Sequence, residues 1–134
     1  LTNSLLTALS GTNAPGLSET NADTGLVVHV DVYRIGLEPT AFTGWDYTFE
    51  VEVYVSVTRA ASDTLIWEHG YVYCNREIKK KNVHFATLVK YSRKANSLKA
   101  YKEEPGRRWL QEELEDAATR LSEAIAADLK AAGF

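Results

Sequence analysis

The sequence contains no methionine and a single cysteine, Cys74. One cysteine excludes an internal disulfide, so packing and hydrogen bonds must hold the fold. A chain that begins at Leu1 without any methionine is expected to be a processed or trimmed form. Its native N-terminus, with any export signal or lipid-anchor cysteine, would lie upstream. No apolar run approaches the roughly 18 residues needed to cross a bilayer as a helix. Also missing are a glycine-rich phosphate loop, a G-x-S-x-G elbow, an H-E-x-x-H helix and any zinc-ligand spacing. No motif argues for catalysis, and neither a metal nor a cofactor is expected.

What is present is ordinary for a soluble globular protein: 134 residues, 45% hydrophobic and 25% charged. That length suits one domain and can bury a real core. Tyr47, Phe49, Val51, Val53, Val55 and Val57 alternate with Thr48, Glu50, Glu52, Tyr54, Ser56 and Thr58. A polar turn at Ala60–Asp63 and a second run from Thr64 to Cys74 follow. This predicts a long antiparallel hairpin with one dry and one wet face. A further strand is expected over about 26–35, with Leu26, Val28, Val30 and Val32 on its core side and Ile35 on the other. Residues 36–44, with Pro39, read as a connection, and Thr12–Thr24 as a mobile loop.

Two helical stripes are available to cover the dry face. Leu5, Leu6 and Leu9 suggest a helix ending near Gly11. Leu110, Leu114, Ala117, Leu121, Ala124 and Ile125 mark a long terminal helix over about 108–131, closed by Gly133. Glu112, Glu113, Glu115 and Asp116 are expected in its first turns, where carboxylates suit the helix dipole. The predicted architecture is α+β: a two-layer sandwich in which an antiparallel sheet of at least three strands (about 26–35, 46–58 and 64–74) packs on an N-terminal and a long C-terminal helix. The chain reads as a single domain over 1–134.

The net charge of −3 conceals a segregation. Residues 75–108 hold eleven Lys and Arg against three Glu, whereas the remainder is strongly acidic. Within this segment Phe85, Leu88, Val89 and Ser92 fit one side of a short helix. Lys79, Lys80, Lys81, Lys90, Arg93, Lys94, Arg107 and Arg108 are the candidate partner-binding residues. Interleaved aromatics such as Tyr91, Tyr101 and Trp109 fit nucleic acid. The acidic remainder would repel phosphate, so nucleic acid is the weaker reading. A protein partner, self-association or an anionic membrane surface uses the same charge.

Other constellations read as structural. Cys74 and His69 fall on opposite faces of a regular strand and do not form a nucleophile–base pair. His29 and Asp31 share a face, but two ligands do not make a metal site. Glu50 and Glu52 sit on the wet face, where solubility explains them better than acid–base chemistry.

Four features together carry a resemblance: the Leu5–Leu6–Leu9 helix before a polar loop; the strand Gly25-Leu26-Val27-Val28-His29-Val30-Asp31-Val32; the long strand, turn and Thr64-Leu65-Ile66-Trp67-Glu68; and a Leu- and Ala-rich terminal helix ending Asp128-Leu129. The pattern resembles small bacterial cell-envelope proteins, many of them lipoproteins, in the group of the curli-secretion lipoprotein and the amino-terminal domain of the Tol-system propeller protein. The resemblance implies a non-enzymatic accessory or assembly protein acting through protein–protein contacts, in the periplasm or anchored at the outer membrane. A small-ligand-binding domain or enzyme with a pocket between sheet and helix is the alternative reading, suggested by Trp45, Trp67, Tyr71 and Tyr73 in or beside the hairpin of a curved sheet.

Overall fold

The dry face of the hairpin organises the molecule. In the computed structural model, which describes residues 17–21, 25–39, 46–74, 87–89 and 96–134, Val51, Val53, Val55 and Val57 are fully buried. They lie on β3 (Asp46–Arg59), the central strand of the sheet. β2 (Leu26–Pro39) and β4 (Thr64–Tyr73) flank it, both antiparallel. The predicted turn is present at residues 60–63. The amides of Ser62 and Asp63 both donate to the Arg59 carbonyl, at 3.1 and 2.8 Å. Asp63 takes φ of 50°, a left-handed conformation that aspartate tolerates better than most residues.

Covering the valines is the terminal helix, α2 (Gly106–Ala131). Its Ala117, Ala118, Leu121 and Ile125 pack into the same cluster as Val51, Val53, Val55, Tyr71 and Tyr73. Small alanines let the helix approach the sheet closely, and each buried Val, Leu or Ile adds about 1.5–3 kcal/mol. The α+β two-layer reading therefore holds, with α2 on one face of the sheet. The expected helix over residues 1–10 lies outside the described residues.

Gly133 ends α2 as the sequence predicts. At φ of 91° it lets its own amide bond the Lys130 carbonyl (3.2 Å) and the Phe134 amide bond the Leu129 carbonyl (3.0 Å). This is a Schellman motif. It turns Phe134 onto Trp67, with ring centroids 6.3 Å apart.

Several expectations are corrected. Strand β1 (Leu17–Asn21) pairs antiparallel with β2 within the stretch read as a mobile loop. Backbone pairing with an adjacent strand needs no apolar pattern, so composition alone concealed it. β2 also runs on to Pro39, through half of the predicted connection. Pro39 is compatible because it stands at the strand's last residue.

A bulge between Val32 and Arg34 alters the phase of β2. Val32 pairs with Val53, but Arg34 pairs with Glu52. Tyr33 is the extra residue, and beyond it the side-chain parity reverses. Ile35 consequently lies opposite Val51 and Leu37 opposite Phe49. Ile35 is thus on the α2 side of the sheet, not on the far side as strict alternation predicts. A second irregularity, between Val57 and Thr58, leaves Ile66 as the extra residue of β4.

The basic segment is not a single connector. β5 (Thr87–Val89) pairs parallel with the end of β4, so residues 87–89 are strand rather than the predicted short helix. β6 (Asn96–Ser97) pairs with Asp46 and Tyr47 of β3. α1 (Leu98–Lys102) follows, capped by Ser97 Oγ, which accepts from the Ala100 amide at 3.2 Å. The buried Tyr101 of α1 donates its hydroxyl to the Tyr47 carbonyl at 3.3 Å.

Candidate functional site

Of the eight candidate basic residues, Lys79, Lys80, Lys81, Lys90, Arg93 and Lys94 lie outside the described residues. Arg107 and Arg108 open α2, which starts two residues earlier than predicted. The acidic residues therefore miss its first turn, which carries two cations instead. The dipole does not favour this arrangement. Arg107 instead donates its Nε to the Lys102 carbonyl at 3.0 Å, linking the two helices. Both arginines, with Glu104, Pro105 and Gln111, line a shallow open depression.

The densest polar arrangement joins β4 to α2. Trp67, His69, Tyr71 and Tyr73 alternate along β4, so all four project from one face. The His69 ring stacks near Trp67 and meets Tyr71 edge-on, with centroids 5.8 and 5.0 Å apart. The Tyr71 hydroxyl donates to Asp128 Oδ2 at 2.9 Å. The Tyr73 hydroxyl lies 2.9 Å from Glu113 Oε2 and 2.5 Å from Asp116 Oδ2. Arg120 Nε in turn reaches both oxygens of Asp116, at 2.9 and 2.8 Å. Glu113, expected in the first turns as a partner of the helix dipole, is 3% exposed.

Burial, followed by the hydrogen bond to Asp128, raises the Tyr71 phenol above its ordinary range. Burial, followed by the hydrogen bond to Asp116, does the same for Tyr73. Both phenols therefore stay protonated across the physiological range and act as hydrogen-bond donors. They clasp the helix to the sheet rather than supply a nucleophile.

The opposite face of the sheet is less wet than its pattern suggests. Thr48 and Glu50 are buried, with 0 and 3% exposure. β3 is central, so its second face is crowded by β2, whose bulge sets Arg34 over it. Arg34 pairs with Glu38, stands 3.8 Å from Glu50 and 3.6 Å from Glu52. Desolvation raises the Glu52 carboxyl, as does its hydrogen bond with Glu50, while Arg34 opposes both. The solubility reading of Glu50 and Glu52 is corrected accordingly: they bind β2 to β3 through Arg34. Next to this cluster Tyr33 is 69% exposed, its ring edge-on to Tyr54 at 6.2 Å, and Tyr54 donates to Glu68.

Cys74 is fully buried just beyond β4, its amide bonded to the Val89 carbonyl at 3.1 Å. Its even position places it across the sheet from His69. His29 meets Thr58 Oγ1 at 3.0 Å on the neighbouring strand. Among the described residues no group of three or more His, Cys, Asp or Glu is arranged to hold a metal ion. Among the described residues no helix is long and apolar enough to cross a membrane.

Between sheet and helix the layer is filled by the valine cluster. A shallow apolar groove opens at one end, where Ile35, Leu37 and Phe49 lie with Leu110 and Leu114. Sequence reasoning missed two separate arrangements: Arg34 with its three glutamates on one face, and Tyr71 and Tyr73 with Glu113, Asp116 and Asp128 on the other. The two-residue spacing of Tyr71 and Tyr73 and the three-residue spacing of Glu113 and Asp116 are visible in the sequence. Their meeting across 43 residues of chain is not. Compared with protein-family models, curated proteins and solved structures, the chain finds no match.

Proposed function

We propose that the chain is a non-enzymatic accessory or assembly domain of the bacterial cell envelope, acting through contacts with another protein or with a second copy of itself. The observation that carries this reading is the outward projection of β2 at its bulge. Tyr33 is 69% exposed and is followed by the half-exposed side chain of Arg34, which projects from the same face of the sheet. Tyrosine and arginine are enriched where proteins meet, and a rigid strand presents them at low entropic cost. The carboxylates and phenols elsewhere are engaged in holding strands and helix together. The envelope setting rests on the resemblance in the strand, Trp67-Glu68 and terminal-helix pattern. The segregated basic charge of residues 75–108 supplies a second contact region, with Lys99, Lys102, Arg107 and Arg108 among its described members.

Site-specific photocrosslinking in cells tests the reading, with the reactive group placed at Tyr33, at Lys80 and, as a control, at the exposed Lys130. A discrete adduct from position 33 or 80, absent from position 130, supports it. Equal diffuse labelling from all three overturns the protein-contact reading. A full-length sequence that carries neither an export signal nor a lipid-attachment cysteine overturns the envelope setting.

A further inference from the structure

The apolar face of the sheet is wider than the helix that lies on it. α2 packs over β3, β4 and β5. β2 adds Leu26, Val28, Val30, Val32, Ile35 and Leu37 to the same face, because each stands opposite an odd-numbered residue of β3. The bulge at Tyr33 is what keeps the last two in phase. Within this strip Val28, Val32 and Leu37 are half-buried, and Ile35 is 37% exposed. On α2, Leu110, Leu114, Ala118 and Ser122 follow one another at four-residue steps and make a ridge. Leu110 and Leu114 line the groove with Ile35 and Leu37. Ala118 and Ser122, further along, are 0 and 3% exposed.

We propose that the occupant of the space between the β2 strip and the α2 ridge is the chain's own first ten residues, with Leu5, Leu6 and Leu9 seated on the strip and closing the groove. Charge favours this occupant. The first charged residue of the sequence is Glu19, so residues 1–18 carry no charge in a chain that is 25% charged. Such a segment enters an apolar layer without desolvating an ion. Leu5, Leu6 and Leu9 fall on one face of a helix, the pattern that an apolar strip requires.

Reach favours it as well. β1 runs antiparallel to β2, and its first residue, Leu17, stands opposite Val30. The chain leading into Leu17 therefore comes from the side of Val32, Ile35 and Leu37. Residues 11–16 can span about 20 Å, enough to cross from the edge of the sheet to the groove. A helix of ten residues is about 15 Å long, the length of about five residues of strand. That matches the distance along β2 from Val32 to Leu37. The docked segment would lie on the face opposite Tyr33 and Arg34, so it leaves the proposed partner surface untouched.

Methyl NMR of the full chain tests this directly. Nuclear Overhauser contacts are expected from Leu5, Leu6 or Leu9 to Val32, Ile35 or Leu114. Leucine methyls of residues 5, 6 and 9 at unfolded-chain positions, without such contacts, overturn the proposal. Mixing two differently labelled preparations separates the remaining occupant: contacts seen only between chains assign the groove to a second copy and also overturn it. Denaturation gives an independent reading. Leu9→Ala should raise the unfolding constant about thirtyfold or more, as for a buried leucine. Leu65→Ala, at a position 50% exposed, should change it less than about threefold. Equally small changes for the two variants would show that Leu9 is not buried, and the docking fails.

Discussion

Tyr73 Oη stands 2.5 Å from Asp116 Oδ2, a bond that crosses from the last residue of β4 to the third turn of α2. Removing the hydroxyl leaves the buried Glu113 and the Asp116 carboxylate without that partner. Tyr73→Phe is expected to cost about 1–3 kcal/mol, the usual penalty for stranding buried polar groups. Tyr71→Phe should cost about 0.5–1.5 kcal/mol, because its partner Asp128 is partly open to water. Urea denaturation of the two variants checks the order. Equal, negligible losses would mean that the phenols do not hold the helix.

Alkaline pH should act on the same pair. Both phenols are neutral in the fold and raised above their ordinary value by burial and by their carboxylate partners. A group raised in the folded state contributes stability that is intact below its unfolded value, about 10 for tyrosine, and is lost as pH climbs beyond it. Tyrosinate absorbance should consequently rise in two stages, the second coinciding with loss of circular dichroism. Simultaneous titration of all seven tyrosines with the fold intact contradicts this.

The two faces of β3 should respond differently to charge. Val53 is fully buried against the helix layer, so Val53→Asp places an unpaired carboxylate in the core. The expected cost is about 4 kcal/mol or more, enough to unfold a marginal domain. Glu52→Lys, one residue away, exchanges a partner of Arg34 for a like charge while Glu38 and Glu50 remain near. A loss of about 1 kcal/mol is expected there. Thermal melts distinguish the outcomes, and comparable losses would refute the face assignment.

Gly106 tests the link between the two helices. A Cβ at this position would lie 1.7 Å from the Ala100 carbonyl oxygen, a backbone atom that no side-chain rotation moves. Gly106→Ala must push α1 away from α2, at a cost of about 2 kcal/mol or more. The shift should show as weakened amide protection in residues 98–106 by hydrogen exchange. Unchanged protection there would show that the close approach is not required.

The fold was largely legible where one periodicity ran unbroken. The valines of β3, the turn at residues 60–63 and the alanine-rich face of α2 each obey one repeat, and the structure follows them. Legibility failed where the chain departs from a repeat. Tyr33 interrupts the phase of β2, so Ile35 and Leu37 change sides without any sequence mark. β5, β6 and α1 are too short for a period to show in a segment dominated by charge. The Tyr73 cluster was hidden for another reason. Glutamate on a helix ordinarily reads as solvent-facing, and only the tertiary fold places Glu113 against a phenol.

The covering of the hairpin also has an order in time. β3 and β4 are neighbours in sequence and meet through a short turn, whereas Leu121 and Ile125 come some fifty residues later. During synthesis the valine face of the hairpin is therefore complete well before the helix that shields it has been made. Until then it offers a bare apolar strip to whatever is nearby, including other nascent chains. Shortening α2 from its carboxyl end should accordingly reduce the yield of soluble chain before it alters any surface that a partner would touch.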